Sequence, residues 1–345
     1  MTPMSGPHRA FESLPIVDVS GLGSPSLEDR QAVAVELGVA AREVGFLYVT
    51  GHGVSPALVE GLLKCTQAYF AQPLAAKMQN YIGKSLNHSG YVPEGEEQFA
   101  SGTKDLKEAY DIGFEVPRQA DSKPMLGPNQ WPDFPGFRET VGAYYGAVYA
   151  LSTRLFRGFA LALGLPEHRF EALVTTPPSQ LRLIHYPFDA ENPRGRPGIG
   201  AHTDYECFTI LLPTQPGLEV KNGAGSWVDV PVIDGTYVIN IGDMLEVLSN
   251  GQFVATSHRV RRVAQERFAF PLFCCCDYDT VIEPLSELCT AGRNTQYQPM
   301  VCGDHLYAQT IQTFSYLKAR LARGEISLPP GTKPLSSFGY SALED

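Results

Sequence analysis

The chain has 345 residues, of which 43% are hydrophobic and 19% charged, and its formal net charge is −10. This composition predicts a globular protein with a sizeable core, and the acidic balance without a long Lys or Arg run argues against a nucleic-acid partner. The sequence shows no apolar stretch of membrane-spanning length and no signal-peptide pattern at its start, so we expect a soluble, cytoplasmic protein without a membrane partner.

The first third of the chain alternates strand and helix patterns. Residues 14–19 (LPIVDV) and 45–54 (GFLYVTGHGV) predict two buried strands, each followed by a helix, over residues 26–44 and 56–70. Ser24 or Ser26 is expected to cap the first of these helices. Residues 73–135 are rich in Gly, Pro and polar residues, and a long amphipathic helix is predicted over residues 137–163.

From residue 178 the pattern changes to short strands separated by turn residues. Eight segments without intervening helices predict a barrel or jelly roll rather than a βαβ fold. They are LRLIHYP, CFTILLP, GLEVKN, SWVDVP, TYVINIG, DMLEVLSNG, TSHRVRRV and RFAFPLFCCC. A further helix, predicted over residues 303–323, would pack on this barrel or close its mouth.

Two potential metal ligands lie at the start of one of these strands, in the segment GIGAHTDYECFTILL. His202 and Asp204 are two residues apart, so on an extended segment both side chains point the same way, and His258 follows 54 residues later. Two imidazoles and one carboxylate are the ligands of a facial Fe(II) site, which leaves positions open for other molecules. A structural zinc site would need four ligands, and no C-x-x-C or H-E-x-x-H motif is present.

Several ordered motifs resemble the isopenicillin N synthase-like family of Fe(II)/2-oxoglutarate-dependent dioxygenases. They are LPIVDVSGL, GFLYVTGHGV, SGYVP, DLKEAYDIG, LRLIHYP, GIGAHTDYECFTILL, GLEV, WVDVP, VINIGDMLEVLSNG, TSHRVRRV and ERFAFPLF. The resemblance implies an α+β fold with a double-stranded β-helix core (a cupin-like jelly roll), flanking helices and an N-terminal αβ extension. It implies one domain, with an N-terminal region over 1–120, the jelly-roll core over 178–285 and the C-terminal helix over 303–323.

The same resemblance implies a set of site residues and an activity. His202, Asp204 and His258 would hold Fe(II), Arg267 would bind the far carboxylate of 2-oxoglutarate, and Tyr186 would donate to that carboxylate. The enzyme would use O2 to hydroxylate, desaturate or cyclise a small molecule, with release of succinate and CO2. The serine of the family's R-x-S motif is Ala269 here, which removes one hydroxyl donor.

Two alternatives remain open at this point. An oxidase of the isopenicillin N synthase type would not use 2-oxoglutarate, and its Arg267 would bind the substrate's own carboxylate. A barrel that only binds a ligand would have no need to keep three metal-ligand residues.

Four residues are candidate substrate contacts. Arg182 shares a strand face with Tyr186, so an inward-facing Arg182 would bind a substrate carboxylate or else form an internal ion pair with a glutamate. The loop 89–102 contains Tyr91 and Glu97, which with Tyr205 would favour an amine-bearing, amino-acid-like substrate if the loop covers the site. The alternative is a simply solvated loop.

Two further polar residues carry weaker expectations. Asn240 is expected to shape a turn or to contact a metal ligand, and His185 to serve as a packing histidine.

Overall fold

The computed structural model describes residues 10–98, 107–117, 123–188, 199–261, 265–289 and 297–333. Its strands are β1 (Ile16–Asp18), β2 (Phe46–Thr50), β3 (Gly90–Val92), β4 (Glu108–Gly113), β5 (Gln180–Tyr186), β6 (Phe208–Pro213), β7 (Leu218–Lys221), β8 (Trp227–Asp229), β9 (Tyr237–Ile241), β10 (His258–Val260), β11 (Arg267–Cys274), β12 (Val281–Ile282) and β13 (Met300–Val301). Its α-helices are α1 (Leu27–Glu43), α2 (Pro56–Phe70), α3 (Leu74–Lys77), α4 (Phe137–Ala162), α5 (Asp243–Leu248), α6 (Cys302–Thr313) and α7 (Ser315–Ala322). These elements form two main β-sheets, a two-stranded sheet of β12 and β13, and flanking helices.

The two main sheets form the walls of a jelly roll. The large sheet has the strand order β1-β2-β9-β6-β11-β5-β4-β3 and is antiparallel except for the β1–β2 pair, and the small sheet has the order β10-β7-β8. Their inner faces pack together, because Phe46 and Val238 of the large sheet share an apolar cluster with Leu218 and Val220 of the small one. The α+β double-stranded β-helix is therefore confirmed.

The outer face of the large sheet is covered by α4. This helix contributes Phe156 and Phe159, whose rings lie 4.7 and 5.3 Å from that of Phe208 on β6, to the main apolar cluster. The predicted helix over 137–163 is thus confirmed almost to its last residue. Because α4 takes the outer face, the opposite face of the large sheet is left to line the interior of the jelly roll.

Two predicted elements differ from the structure. The segment DMLEVLSNG was expected to be a strand, but it contains α5, which begins after Gly242 with Asp243 and Glu246 in its first turn. Acidic residues stabilise a helix N-terminus, and a short apolar run does not distinguish strand from helix by periodicity alone. The tail helix predicted over 303–323 is two helices, because Phe314 is extended and forms a β-bridge with Glu97.

Within the described ranges, no helix combines the length and apolar character needed to span a membrane.

Candidate metal centre

Three side chains converge between the two sheets. His202 and Asp204 lie on the segment that leads into β6, and His258 is the first residue of β10. The backbones of the two histidines pair directly, with His202 N donating to His258 O at 3.0 Å and His258 N to His202 O at 2.9 Å. One ligand atom from each of the three residues lies within 4.8 Å of the other two. Among the described residues, no other group of three His, Cys, Asp or Glu side chains meets this criterion.

Backbone carbonyls orient both imidazoles. Nδ1 of His202 lies 2.8 Å from Gly200 O, and Nδ1 of His258 lies 3.3 Å from Thr256 O. A proton on Nδ1 leaves the lone pair of Nε2 free for a metal, and the two Nε2 atoms lie 3.6 and 3.5 Å from Asp204 Oδ1. Burial, with a contribution from His258, lowers the pKa of His202 to about 4, so its imidazole is neutral at pH 7 and ready to ligate.

Asp204 is held through its other oxygen. Its Oδ2 accepts hydrogen bonds from Thr209 Oγ1 at 2.5 Å and from Asn240 Nδ2 at 2.7 Å. Burial alone would raise the pKa of Asp204, but the neighbouring imidazoles and the bond from Thr209 outweigh it and lower that pKa, so the carboxylate stays ionised. Oδ1 remains directed at the two imidazoles. Two imidazole nitrogens and one carboxylate oxygen on one side of a buried space fit the ligand set of a facial Fe(II) site.

Arg267 is the first residue of β11 and is 1% exposed. Its Nε donates to Gln215 O at 3.1 Å, whereas its Nη1 has no hydrogen-bond partner among the described residues. Arg267 is the cross-strand partner of Tyr186, and its guanidinium carbon lies 4.8 Å from the centre of that ring. A buried guanidinium with an unused donor is costly, so the site suits an anionic ligand such as a carboxylate.

Ala269 lies two residues after Arg267 and therefore on the same face of β11. It is buried with Ile184, Tyr186 and Val260 in a small apolar cluster. Where the related family has a serine hydroxyl, this wall of the site presents a methyl group.

Arg182 forms the internal ion pair that the sequence left as an alternative. Its Nε and Nη2 donate to Asp111 Oδ1 and Oδ2 at 2.8 and 2.7 Å, and its Nη1 donates to Glu97 Oε1. Three of the five N–H donors of Arg182 thus bond to carboxylates of the protein, and its contact with a substrate carboxylate stays a prediction. Glu97 completes the group, since its Oε2 lies 2.7 Å from Lys107 Nζ.

Tyr91 does not line the interior. It pairs with Tyr110 on β4, and Tyr110 pairs with Leu183, which alternates with Arg182 on β5. Tyr91 therefore lies on the outer face of the sheet, where its hydroxyl donates to Glu108 Oε2 at 2.5 Å. Its proposed contact with substrate is corrected for that reason.

Tyr205 remains beside the triad as the residue after Asp204. It is half-buried, and its ring lies 5.9 Å from that of His305, edge-on. Residues 99–102, the end of the loop assigned as a wall of the site, lie outside the described residues.

The sequence interpretation missed three supporting residues: Thr209, Asp111 and Lys107. Thr209 could have been found by alternation along β6, because it faces inward with Asp204 nearby. Asp111 and Lys107 required the register between β4 and β5, in which Asp111 is the direct partner of Arg182.

The fold and the site together define a facial-triad iron oxygenase built on a jelly roll. Two family models match the chain: the N-terminal region of non-haem dioxygenases in morphine synthesis over residues 14–134, and the 2OG-Fe(II) oxygenase superfamily over residues 177–276. The chain belongs to the 2OG-Fe(II) oxygenase superfamily, in its isopenicillin N synthase-like branch.

Similar proteins extend this result over most of the chain. Homoarginine-6-hydroxylase 2-ODD-233 of Oryza sativa subsp. japonica is 35% identical and covers 88% of this chain and 98% of its own length. Homoarginine-6-hydroxylase 2-ODD-C23.1 of Arabidopsis thaliana is 34% identical with the same coverage. A full-length Neurospora crassa protein crystallised in complex with alpha-KG has a TM-score of 0.74 at 26% identity and covers 90% of this chain and 96% of its own.

This protein is therefore an Fe(II)- and 2-oxoglutarate-dependent oxygenase that acts with O2 on a small molecule. Neither an oxidase that dispenses with 2-oxoglutarate nor a barrel without catalytic activity is supported.

Proposed function

We propose that the enzyme hydroxylates a C–H bond of a small amino-acid-like molecule that carries a cationic side chain, releasing succinate and CO2. The relatives named homoarginine-6-hydroxylases, which match nearly their full lengths, support this class of substrate.

The observation that carries the proposal is a row of buried charges beside the triad. Arg182 lies on the inner face of the large sheet, and Asp111, Glu97 and Lys107 surround it, so two cations and two carboxylates lie in the interior. Burying four charges costs more than burying apolar residues of the same volume. A wall of this kind favours a charged, zwitterionic substrate over an apolar one. The proposed contacts for its amine are Tyr205 and Glu97, whose carboxylate keeps lone pairs beyond those that bond Arg182 and Lys107.

Each part of the site has a distinct task in this proposal. His202, Asp204 and His258 hold Fe(II) from one side, and bound Fe(II) supplies the oxygen chemistry. Arg267 binds the far carboxylate of 2-oxoglutarate through its unused donor, and the ring of Tyr186 covers that guanidinium. The apolar side chains around Ala269 keep water away from the co-substrate and strengthen these charged contacts.

Substrate-dependent turnover tests the proposal. Purified enzyme with Fe(II) and 2-oxoglutarate would be supplied with L-homoarginine, L-arginine or L-lysine, and with the neutral analogues L-citrulline and L-norleucine. We expect succinate formation coupled to O2 uptake, and a product one oxygen atom heavier, only with a cationic substrate. Turnover of the neutral analogues at equal or higher rates would contradict the substrate class, and Asp204→Ala provides the control without metal.

A further inference from the structure

On the outer face of the large sheet, His185 lies between two carboxylates. Its Nδ1 lies 2.8 Å from Glu108 Oε1, and its Nε2 lies 2.8 Å from Glu266 Oε1. A carboxylate only accepts hydrogen bonds, so each ring nitrogen can bond to its carboxylate only as an N–H donor.

The ring of His185 is also fixed by stacking. It is parallel to the ring of Phe268 at a centroid distance of 4.6 Å and an angle of 8°, and Phe70 of α2 packs on it at 5.4 Å. Glu108 is held in turn, since its Oε2 accepts from Lys77 Nζ at 2.6 Å. Burial would raise the pKa of Glu108, but the bonds from His185, Lys77 and Tyr91 outweigh it and lower that pKa, so the carboxylate remains charged. One end of the arrangement is therefore rigid.

The other end of the arrangement is at the proposed 2-oxoglutarate anchor. His185 directly precedes Tyr186, the last residue of β5, and Glu266 directly precedes Arg267, the first residue of β11. In the sheet Tyr186 pairs with Arg267, and His185 pairs with Phe268. The bond from His185 to Glu266 therefore links β5 and β11 on the outer face, next to the residues Tyr186 and Arg267 whose side chains lie on the inner face.

We infer that His185 is a positioning residue for the Arg267–Tyr186 pair, acting through Glu266 and Glu108 from the opposite side of the sheet. The end of a strand is free to fray unless something holds it. A hydrogen bond between β5 and β11 at this position limits the rotamers that the Arg267 side chain can adopt. The inference rests on the proposed role of Arg267 as the carboxylate anchor.

The test uses His185→Phe and Glu266→Gln in the full-length protein. Phenylalanine keeps the stack on Phe268 but donates no hydrogen bond, and glutamine removes the exposed charge without removing bulk. We expect both variants to weaken 2-oxoglutarate binding, about tenfold for His185→Phe and less for Glu266→Gln. The dissociation constant would be measured by calorimetry without O2, with Mn²⁺ in place of Fe(II), and the KM for each substrate in parallel.

Two controls separate positioning from a general loss of structure. Glu167→Gln removes a partner of Arg30 in a remote ion pair whose Nε–Oε1 distance is 2.8 Å, and it should leave the 2-oxoglutarate constant unchanged. A positioning role requires that the KM of the primary substrate stays within about twofold while that of 2-oxoglutarate rises. An equal rise in both KM values, or an unchanged 2-oxoglutarate constant in Glu266→Gln, would overturn the inference.

Arg267→Gln distinguishes the two assignments. If it weakens 2-oxoglutarate binding and the His185 and Glu266 variants do not, the anchor stands and the positioning role is wrong. If Arg267→Gln itself has no effect, the anchor assignment fails and the inference fails with it. Should His185→Phe not fold, Glu266→Gln decides the outcome, because 60% of the Glu266 side chain is exposed and its removal does not open the core.

Discussion

The guanidinium of Arg267 packs against the ring of Tyr186, its cross-strand partner, with 4.8 Å between the guanidinium carbon and the ring centre. The ring covers one face of the cation, and Nη1 is buried with no hydrogen-bond partner in the part of the chain that the structure describes. The guanidinium of Arg267 is therefore already ordered with an unused donor, so less conformational entropy is lost when an anion binds.

Replacing Arg267 by lysine should therefore raise the 2-oxoglutarate requirement strongly. Lysine keeps the positive charge but loses the planar fork that binds a carboxylate through two parallel hydrogen bonds. Loss of one charged hydrogen bond costs about 1.5–3 kcal/mol, which corresponds to about a 10- to 100-fold higher KM for 2-oxoglutarate. Initial rates of succinate formation would measure it, and an unchanged KM would show that another residue binds the carboxylate.

Substituting a metal ligand should reduce metal affinity more than substituting a residue that only supports the ligand. Asp204→Ala removes the anionic ligand and should abolish measurable Fe(II) or Mn²⁺ binding. Asn240→Ala leaves the ligand in place, but Asp204 Oδ2 is then held by the bond from Thr209 alone, because the 2.7 Å bond from Asn240 is lost. Loss of such a partner typically weakens metal affinity about 10- to 100-fold.

Calorimetric titration with metal would measure the metal affinities of Asp204→Ala and Asn240→Ala and so distinguish the two predicted effects. Asn129→Ala is the matched control, because its amide bonds Gly113 and Glu115 instead. Equal metal affinity in Asn240→Ala and the wild type would show that Thr209 alone orients the carboxylate.

The sequence is sufficient for the triad but not for the charges around it. His202, Asp204 and His258 could be predicted because the motifs that contain them resemble those of the related family in order and spacing, and because the two-residue spacing of His202 and Asp204 is local. The partners of Arg182 depend on the register between β4 and β5, and the position of Tyr91 depends on which sheet face its strand presents. Register is fixed by tertiary packing, and a shift of one residue reverses every face.

Glu97→Gln should destabilise the protein at neutral pH. Burial would raise the pKa of Glu97, but the charges of Arg182 and Lys107 outweigh it and lower that pKa from 4.5 to about 2. Removing one partner of a buried ion pair costs about 3–5 kcal/mol of unfolding free energy. Urea denaturation at pH 7 would measure the loss. Glu60→Gln is the control, because Glu60 forms a solvent-exposed pair with Lys64 and its removal leaves no buried charge unpaired.

The sign of the pH dependence follows from the lowered pKa of Glu97. A carboxyl group whose folded pKa is depressed contributes its full stability above its unfolded pKa, near 4.5, and loses it as the pH falls through about 2. The difference in unfolding free energy between the wild type and Glu97→Gln should therefore shrink between pH 4.5 and pH 2. A difference that stays constant across this range would show that the charge of Glu97 is not what stabilises the fold.

Restoring the family's hydroxyl at Ala269 should tighten 2-oxoglutarate binding. Ala269 faces the same way as Arg267, and its surroundings are apolar, so a serine hydroxyl there has the bound carboxylate as its natural acceptor. One such hydrogen bond contributes about 1 kcal/mol, or about a fivefold lower dissociation constant. Without 2-oxoglutarate the hydroxyl is buried unpaired, so the same variant should melt at a lower temperature than the wild type.

Ala109→Ser is the matched control for this substitution. Ala109 and Ala269 both pair with Ile184, on opposite sides of β5, and both are buried on the inner face. Ala109 packs against Phe314 and Ile311 of the tail, away from the proposed carboxylate. Serine at residue 109 should therefore lower the melting temperature with no gain in 2-oxoglutarate affinity. If both variants were destabilised and neither bound 2-oxoglutarate more tightly, the carboxylate would not lie beside Ala269, and Arg267 would have to hold it from another direction.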